Sequence, residues 1–455
     1  MSQELPPPLP TDSPKSTIKR RRRFFSWKNV LIVLAVGAAG LVWWSRDEPP
    51  PDVSDLVFTP LQLPADQNAY SVITKAAQLV PEHKWTDDEQ DTLQSMIEGG
   101  NSWSDSIAQT CLRDIEPAWP LLYQAQKIPQ GQTPWVSAPE DLLPELGPIK
   151  KLCNITQIRA RNQARLNDPD EALRTALVVL SAGNRVEESR GTIIHYLTGS
   201  VIKRSSLVTI QDVVAYNNPS GETLRTTLRG VSESRANTDA VALAFKSELR
   251  FFDSSLPLLK GQKLGDLTDG KFRLLNKLSS VPLLLKPNLT QRVYTNYLRV
   301  SSGLVDQPLA VLQSSDELNN FTQKNIRRKF FYNPDNILGR IFLSIITPAT
   351  SAILKARLRE QSHISATEAF LALTLYKREH GEFPATLDAL VPAYLPAVPR
   401  DYLDGAPIRY SRDLGVVWSV GLKNFAITQT DQVIEKGETV LYLTPRTPAP
   451  ASRLF

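Results

Sequence analysis

The amino-acid sequence predicts a mainly α protein: an N-terminal transmembrane helix, a multi-helix ectodomain, and a small C-terminal α+β module with a short antiparallel sheet. Three observations predict it. Residues 30–44, VLIVLAVGAAGLVWW, carry no charge and no strongly polar side chain. Between residues 65 and 380, segments with helix-capping residues repeat apolar side chains at three- and four-residue steps, the period of a helix buried on one face. After residue 405 the pattern changes to short β-rich runs separated by Asp and Gly.

The apolar segment comes first. With Phe24, Phe25 and Trp27 upstream and Lys28 snorkelling, Phe24 to Trp44 gives 21 positions. That is about 31 Å of helix, enough for a hydrocarbon core of ~30 Å. Trp27 at one end and Trp43 and Trp44 at the other have the positions of interfacial anchors. Arg20, Arg21, Arg22 and Arg23 precede the span, and Arg46, Asp47, Glu48, Asp52 and Asp55 follow it with a net of −3. The positive-inside rule then puts the N-terminus in the cytoplasm and the remainder across the membrane. A cleaved leader stays open as an alternative, because small residues from Ala35 to Gly40 lie inside the run, although its end, Val-Trp-Trp, lacks them.

Charge supports this division. The chain of 455 residues has 52 basic and 47 acidic side chains, a net of +5, yet residues 1–28 alone hold seven basic and two acidic ones. The basicity therefore belongs to one short arm, and the rest is neutral. A neutral remainder excludes a phosphate-tracking surface, so no nucleic acid is expected as partner.

Residues 46–64, RDEPPPDVSDLVFTPLQLP, read as a Pro-rich stalk. Thr86-Asp-Asp-Glu89 is a capping box. Asp168-Pro169 pairs an N-cap with a proline at the first helical position, ahead of a run that stops at Gly183. Further helical runs cover 193–214, 238–259, 290–312 and 347–380. The expected organisation is a disordered basic arm (1–23), transmembrane helix (24–45), stalk (46–64), helical ectodomain (65–346), long helix plus antiparallel sheet (347–444) and disordered tail (445–455).

Beyond His380 each residue has a local role. Gly381 ends the helix as its C′ glycine. Pro384 opens an extended segment, and Asp404-Gly405 turns into the first strand. Asp401 and Asp404 are read as turn formers rather than a catalytic carboxylate pair. Arg412-Asp-Leu-Gly415 is a hairpin signal, and 432–443 offers a further strand.

Taken together, ALTLYKREHGEFPATLDALVPAYLPAVPRDYLDGAPIRY followed by VVWSVG resembles the C-terminal part of type II secretion major pseudopilins. The likeness covers residues 366–421. It implies a long helix, a proline-rich loop and a small antiparallel sheet, and makes Gly381, Pro384, Asp404 and Gly405 structural. The pilin-type N-terminal cleavage site is absent, so a filament subunit is not implied. That family holds calcium after its S-x-G; here only Asn424 and Asp431 follow Ser419-Val-Gly421 as oxygen donors, too few for the ion, and no cofactor is expected. The whole chain looks like single-pass bacterial envelope proteins that carry such a tail behind a helical domain, a likeness that supplies no activity.

No metal or nucleotide motif appears. His83, His195, His363 and His380 show no metal-ligand spacing, and neither a Walker loop, GxGxxG nor GxSxG occurs. Cys111 and Cys153 either pair across an oxidising compartment or stand as buried thiols on different helices. The expected role is that of an inner-membrane, single-pass protein with a periplasmic C-terminal domain. It would act as a non-catalytic interaction or structural module on an envelope protein partner. A periplasmic hydrolase with a site assembled from distant residues, or an accessory component of a secretion or pilus system, are the alternatives.

Overall fold

The computed structural model describes residues 27–134, 143–235, 238–256, 284–314, 335–423, 426–428 and 439–443. It is mainly helical, with one three-stranded antiparallel sheet. The chain separates into two units, residues 1–46 and 47–455.

In the first unit, α1 (Trp27–Ser45) is apolar on every side, and Leu31 to Leu34, Val36 and Val42 all expose more than half of their surface. Its apolar stretch, Asn29–Ser45, is nevertheless shorter than a full membrane span. Among the described residues, the helix that meets the length and composition of a span is at Ile337–His380, not at the N-terminus. By this measure of length and composition, the N-terminal placement expected from sequence is not supported.

The second unit contains α2 (Ala69–Gln78), α3 (Asp87–Glu98), α4 (Asp105–Ile115), α5 (Trp119–Lys127), α6 (Leu146–Arg165), α7 (Pro169–Glu187), α8 (Ile193–Tyr216), α9 (Gly221–Glu233), α10 (Thr238–Ser255), α11 (Pro287–Gly303), α12 (Leu309–Ser314) and α13 (Ile337–His380). Local signals place several ends. Thr86 and Glu89 close the capping box on α3. Asp168 accepts from Glu171 N at the start of α7, with Pro169 at N1. Gly381 takes the left-handed conformation (φ +82°) that ends α13.

Three differences are tertiary in origin. α7 does not stop at Gly183 but runs on to Glu187, and Gly183 is instead where α8 crosses closely. The boundary expected at 346/347 falls inside α13, which continues through Pro348. Its first half packs with α10 and α11 around Phe252, Tyr294 and Leu354. Its second half packs with α7 to α9 and the sheet around Phe370 and Leu373. The helix thus joins the two parts that the sequence divides at 346/347.

Nor do residues 47–56 form a free stalk. Asp47 accepts from the backbone N–H groups of Asn288 (2.8 Å) and Leu289 (3.2 Å), two of the donors that the first turn of α11 leaves unpaired. Glu48 pairs with Arg292 and Asp55 with Arg299, both at 2.6 Å, and Leu56 is buried beside α10. The segment is a strap along α11. The acidic residues that suggested topology here cap and pair a helix.

The sheet consists of β1 (Arg409–Ser411), β2 (Val416–Trp418) and β3 (Val440–Tyr442), in the order β1-β2-β3. Tyr410 faces Val417, and Val417 faces Leu441. Val417 and Leu441 join the α13 core, while Val416 and Trp418 pack on the opposite face with Ile427. Gly415 (φ +62°) closes the β1–β2 turn as the Asp-Leu-Gly signal requires.

Candidate functional site

Two polar constellations stand out, one sealed and one open. The sealed one begins with two glycines. A Cβ on Gly199 would lie 2.6 Å from Gly183 O and 2.7 Å from Glu187 Cα, so only glycine lets α7 and α8 approach this closely. The crossing places Lys203 of α8 between Glu187 of α7 and Glu360 of α13. Its ammonium donates to Glu187 Oε2 (2.5 Å) and to Glu360 Oε1, and all three side chains are shut off from solvent. Arg357, one turn earlier on α13, holds Asp306 with two hydrogen bonds (2.6 and 3.0 Å) and reaches Tyr196 Oη at 3.5 Å.

One ammonium cannot balance two buried carboxylates. Burial and the facing Glu360 push Glu187 up to about 8. Burial opposes ionisation of Glu360 too, but the Lys203 ammonium and hydrogen bonds from Glu187 and Ser200 hold it below the usual carboxylate range. The two oxygens that Lys203 does not reach, Glu187 Oε1 and Glu360 Oε2, have no other partner. A single proton carried by Glu187 and offered to Glu360 satisfies both and leaves the cluster neutral. With no opening to solvent, this arrangement fixes helices rather than turning over a substrate.

The histidines have structural partners. His195 Nδ1 accepts from the N–H of Thr192 (3.2 Å) and caps α8, which leaves the Nε2 proton facing Glu145 at 3.6 Å. Glu145 also accepts from Tyr70 Oη (3.0 Å). His363 is buried against Gln211 (2.8 Å), and burial pushes it down to about 3, so it stays neutral. His380 stacks on Tyr376 at the end of α13.

The open constellation is a cavity of about 310 Å³ walled by α3, α4 and α6. Its interior is mostly apolar, built from Trp85, Leu93, Ile97 and Ile155, with the Cys111 thiol in the wall. Asp114 contributes the one carboxylate of the lining, and His83 Nε2 lies 2.5 Å from it. Lys150 and Lys151 stand on the α6 side. Burial and the nearby Asp114 push the Cys111 thiol up to about 11, so it is not a thiolate at neutral pH.

The seam between α13 and the sheet holds a third buried carboxylate. Asp401 is fully enclosed and accepts from Ser362 Oγ (2.7 Å), Ser419 Oγ (3.1 Å), Leu403 N (3.1 Å), Val420 N (2.8 Å) and Arg409 Nη1 (3.1 Å). It is a hub joining the helix, the loop and β2, more than the turn former read from sequence. Asp404 does form the turn, accepting from Ala406 N (3.1 Å), and it pairs with Arg409. Gly405 has φ +81° beside it. Pro384 presents its carbonyl to Tyr410 Oη (2.8 Å), tying the loop to β1.

Of the other residues singled out from sequence, Trp43 is 76% exposed and Trp44 38%, at the C-terminal end of α1, and Trp27 is its first residue. Arg20 to Arg23, Asn424, Asp431 and the tail lie outside the described residues. Cys111 and Cys153 are free buried thiols on α4 and α6; the disulfide is not formed, and burial pushes Cys153 to about 12. The sequence reading missed Lys203, Glu187 and Glu360, which are brought together across 16 and 157 residues. A lysine inside the apolar run 193–214 was the available signal. Comparison of the chain with protein-family models, with curated proteins and with solved structures finds no match.

Proposed function

We propose that the protein is a single-pass membrane protein. Its helical domain and C-terminal module would act as a periplasmic interaction module of the cell envelope, without catalysis in the sealed charge cluster. One observation carries the reading: α1 is apolar on every face and leaves those faces exposed, with Trp43 at its end. α13, although long enough to span, buries Leu343, Ile353, Leu354, Phe370 and Leu373 in two cores, whereas Ile345 stays exposed. The nineteen residues of α1 make a helix of about 28 Å, and Phe24 and Phe25 extend the apolar run upstream. The arginines at 20–23 favour a cytoplasmic N-terminus. The resemblance of residues 366–421 to pseudopilins favours an envelope partner, and the order of helix, loop and antiparallel strands supports that likeness.

Expression in a bacterial host with alkaline phosphatase fused after residue 455 tests both topology and anchorage. An active fusion that stays in the pellet after alkaline carbonate is expected. Release by carbonate, or an inactive fusion, overturns the assignment. In-cell crosslinking should capture an envelope protein on the exported domain, and its failure with several crosslinker positions overturns the interaction role. The His83–Asp114 pair beside an open cavity favours a hydrolase as the second reading. Ester or amide turnover that is lost in His83→Ala would establish it.

A further inference from the structure

The cavity between α3, α4 and α6 has an asymmetry in charge that defines a ligand. Its depth is apolar: Ile97, Ile155 and Cys111 are buried or nearly so, and the Trp85 indole and Leu93 complete the wall. Besides the Cys111 thiol, its ionisable groups are Lys150, Lys151, His83 and Asp114. Asp114 is committed to His83 at 2.5 Å. Lys151 spends one N–H on Pro81 O (2.6 Å) and keeps two. Lys150 is exposed and, among the described residues, has no ion-pair partner. The lining therefore offers two ammonium groups to a guest and no uncommitted carboxylate. Near 310 Å³, the cavity is at the small end of ligand sites, which bury an apolar body and orient it by a few polar groups.

We infer that this cavity binds a compact apolar monocarboxylate, with the hydrocarbon or aromatic body against Trp85, Leu93 and Ile97 and the carboxylate at Lys150 and Lys151. A charge-assisted hydrogen bond to an ammonium recognises the anion, and the apolar wall provides the area that a bare inorganic anion cannot use. A cationic amphiphile would meet like charges at the lysines. A neutral one would leave the ammonium groups without a new partner. The site goes beyond the anchorage and interaction role and does not depend on it.

Gly147 makes the site testable without disturbing the fold. It lines the cavity at the start of α6, and a Cβ there would meet nothing within 4 Å. Gly147→Leu fills the opening and replaces glycine in a helix, which favours folding. Lys150→Glu changes an exposed side chain. Binding is measured on the full chain in lipid nanodiscs by saturation-transfer NMR. The probes are naphthalene-2-carboxylate, 2-naphthylmethanol and 2-naphthylmethylamine, with empty nanodiscs subtracted. The carboxylate should bind at least about tenfold more tightly than the alcohol, a difference of about 1.4 kcal/mol, and the amine more weakly than either. Lys150→Glu and Gly147→Leu should each cost about tenfold, with unchanged thermal unfolding. Equal binding of acid and alcohol, preference for the amine, unchanged affinity in both variants, or no signal above empty nanodiscs each overturns the inference.

Discussion

Replacing Lys203 by methionine tests how the sealed cluster balances its charge. The variant keeps an aliphatic stem and removes the ammonium that pairs with Glu187 and Glu360. In the parent, Glu187 already holds its proton at neutral pH, because burial pushes it up to about 8. Without the ammonium Glu360 must hold one as well. At pH 7 that means staying protonated about 2.5 pH units above its ordinary value of 4.5, which costs about 3.4 kcal/mol at 1.36 kcal/mol per unit. At pH 5 the same requirement costs only about 0.7 kcal/mol. The larger figure falls in the range of about 3–5 kcal/mol for breaking a buried ion pair. Pulse proteolysis of the full chain in nanodiscs across a urea series reads the difference. With an m-value of about 3 kcal/mol per M, the urea midpoint should fall by about 1 M at pH 7 and by about 0.2 M at pH 5. A deficit that is equal at both pH values, or that grows as pH falls, refutes the shared-proton account.

Glu187→Gln should act in the opposite sense. Glu187 has a folded-state value above its ordinary 4.5, so the stability it contributes is full below about 4.5 and is lost as pH rises toward about 8. The same urea series should therefore shift in the variant's favour by up to about 4 kcal/mol between pH 5 and pH 8. Gly199→Ala brings a Cβ within 2.7 Å of backbone on α7 that cannot rotate away, and should cost at least about 2 kcal/mol in the same assay. Asp401→Ala strands two hydroxyls, two backbone N–H groups and Arg409; a loss of about 3–5 kcal/mol is expected, with new proteolytic cleavage between residues 384 and 405 and partial rescue by Asp401→Asn.

What could be read from sequence was what the chain decides locally. Thr86 with Glu89, Asp168 with Pro169, and Gly381 each state a helix end within four residues, and each is found there. Gly415 likewise announced the β1–β2 turn. The errors arise where a residue answers to a distant neighbour. Gly183 looks like a helix stop, because the sequence cannot show α8 crossing it. The last helical run looks as if it begins at Thr347, yet packing on both sides of Pro348 keeps α13 continuous. Asp401 has the local pattern of a turn residue, and only the fold brings Ser362, Ser419 and Val420 to its carboxylate. The cavity is legible only after folding, since His83, Asp114 and Lys150 come from three segments with no common motif.

The polar residues along α13 explain why a helix of forty-four residues, apolar enough to slide, stays in one register. Glu360 meets Lys203, Ser362 meets Asp401, and Gln361, Ser365 and Glu368 meet Arg235. A slip by one turn, about 5.4 Å, brings the residues four positions away into these places. Ala356 or Ile364 would then face Lys203, and Leu358 or Ala366 would face Asp401. Both buried charges would lose a partner in a single movement, at a cost far above what exchanging one apolar contact for another involves. The same slip would put Ala366 or Thr374 in the place of Phe370 and Ala369 or Lys377 in the place of Leu373, so the core resists it as well. Core and charges select the register together. Since the same helix packs near the strap partners on α11 at one end and the sheet at the other, fixing its register fixes the positions of both.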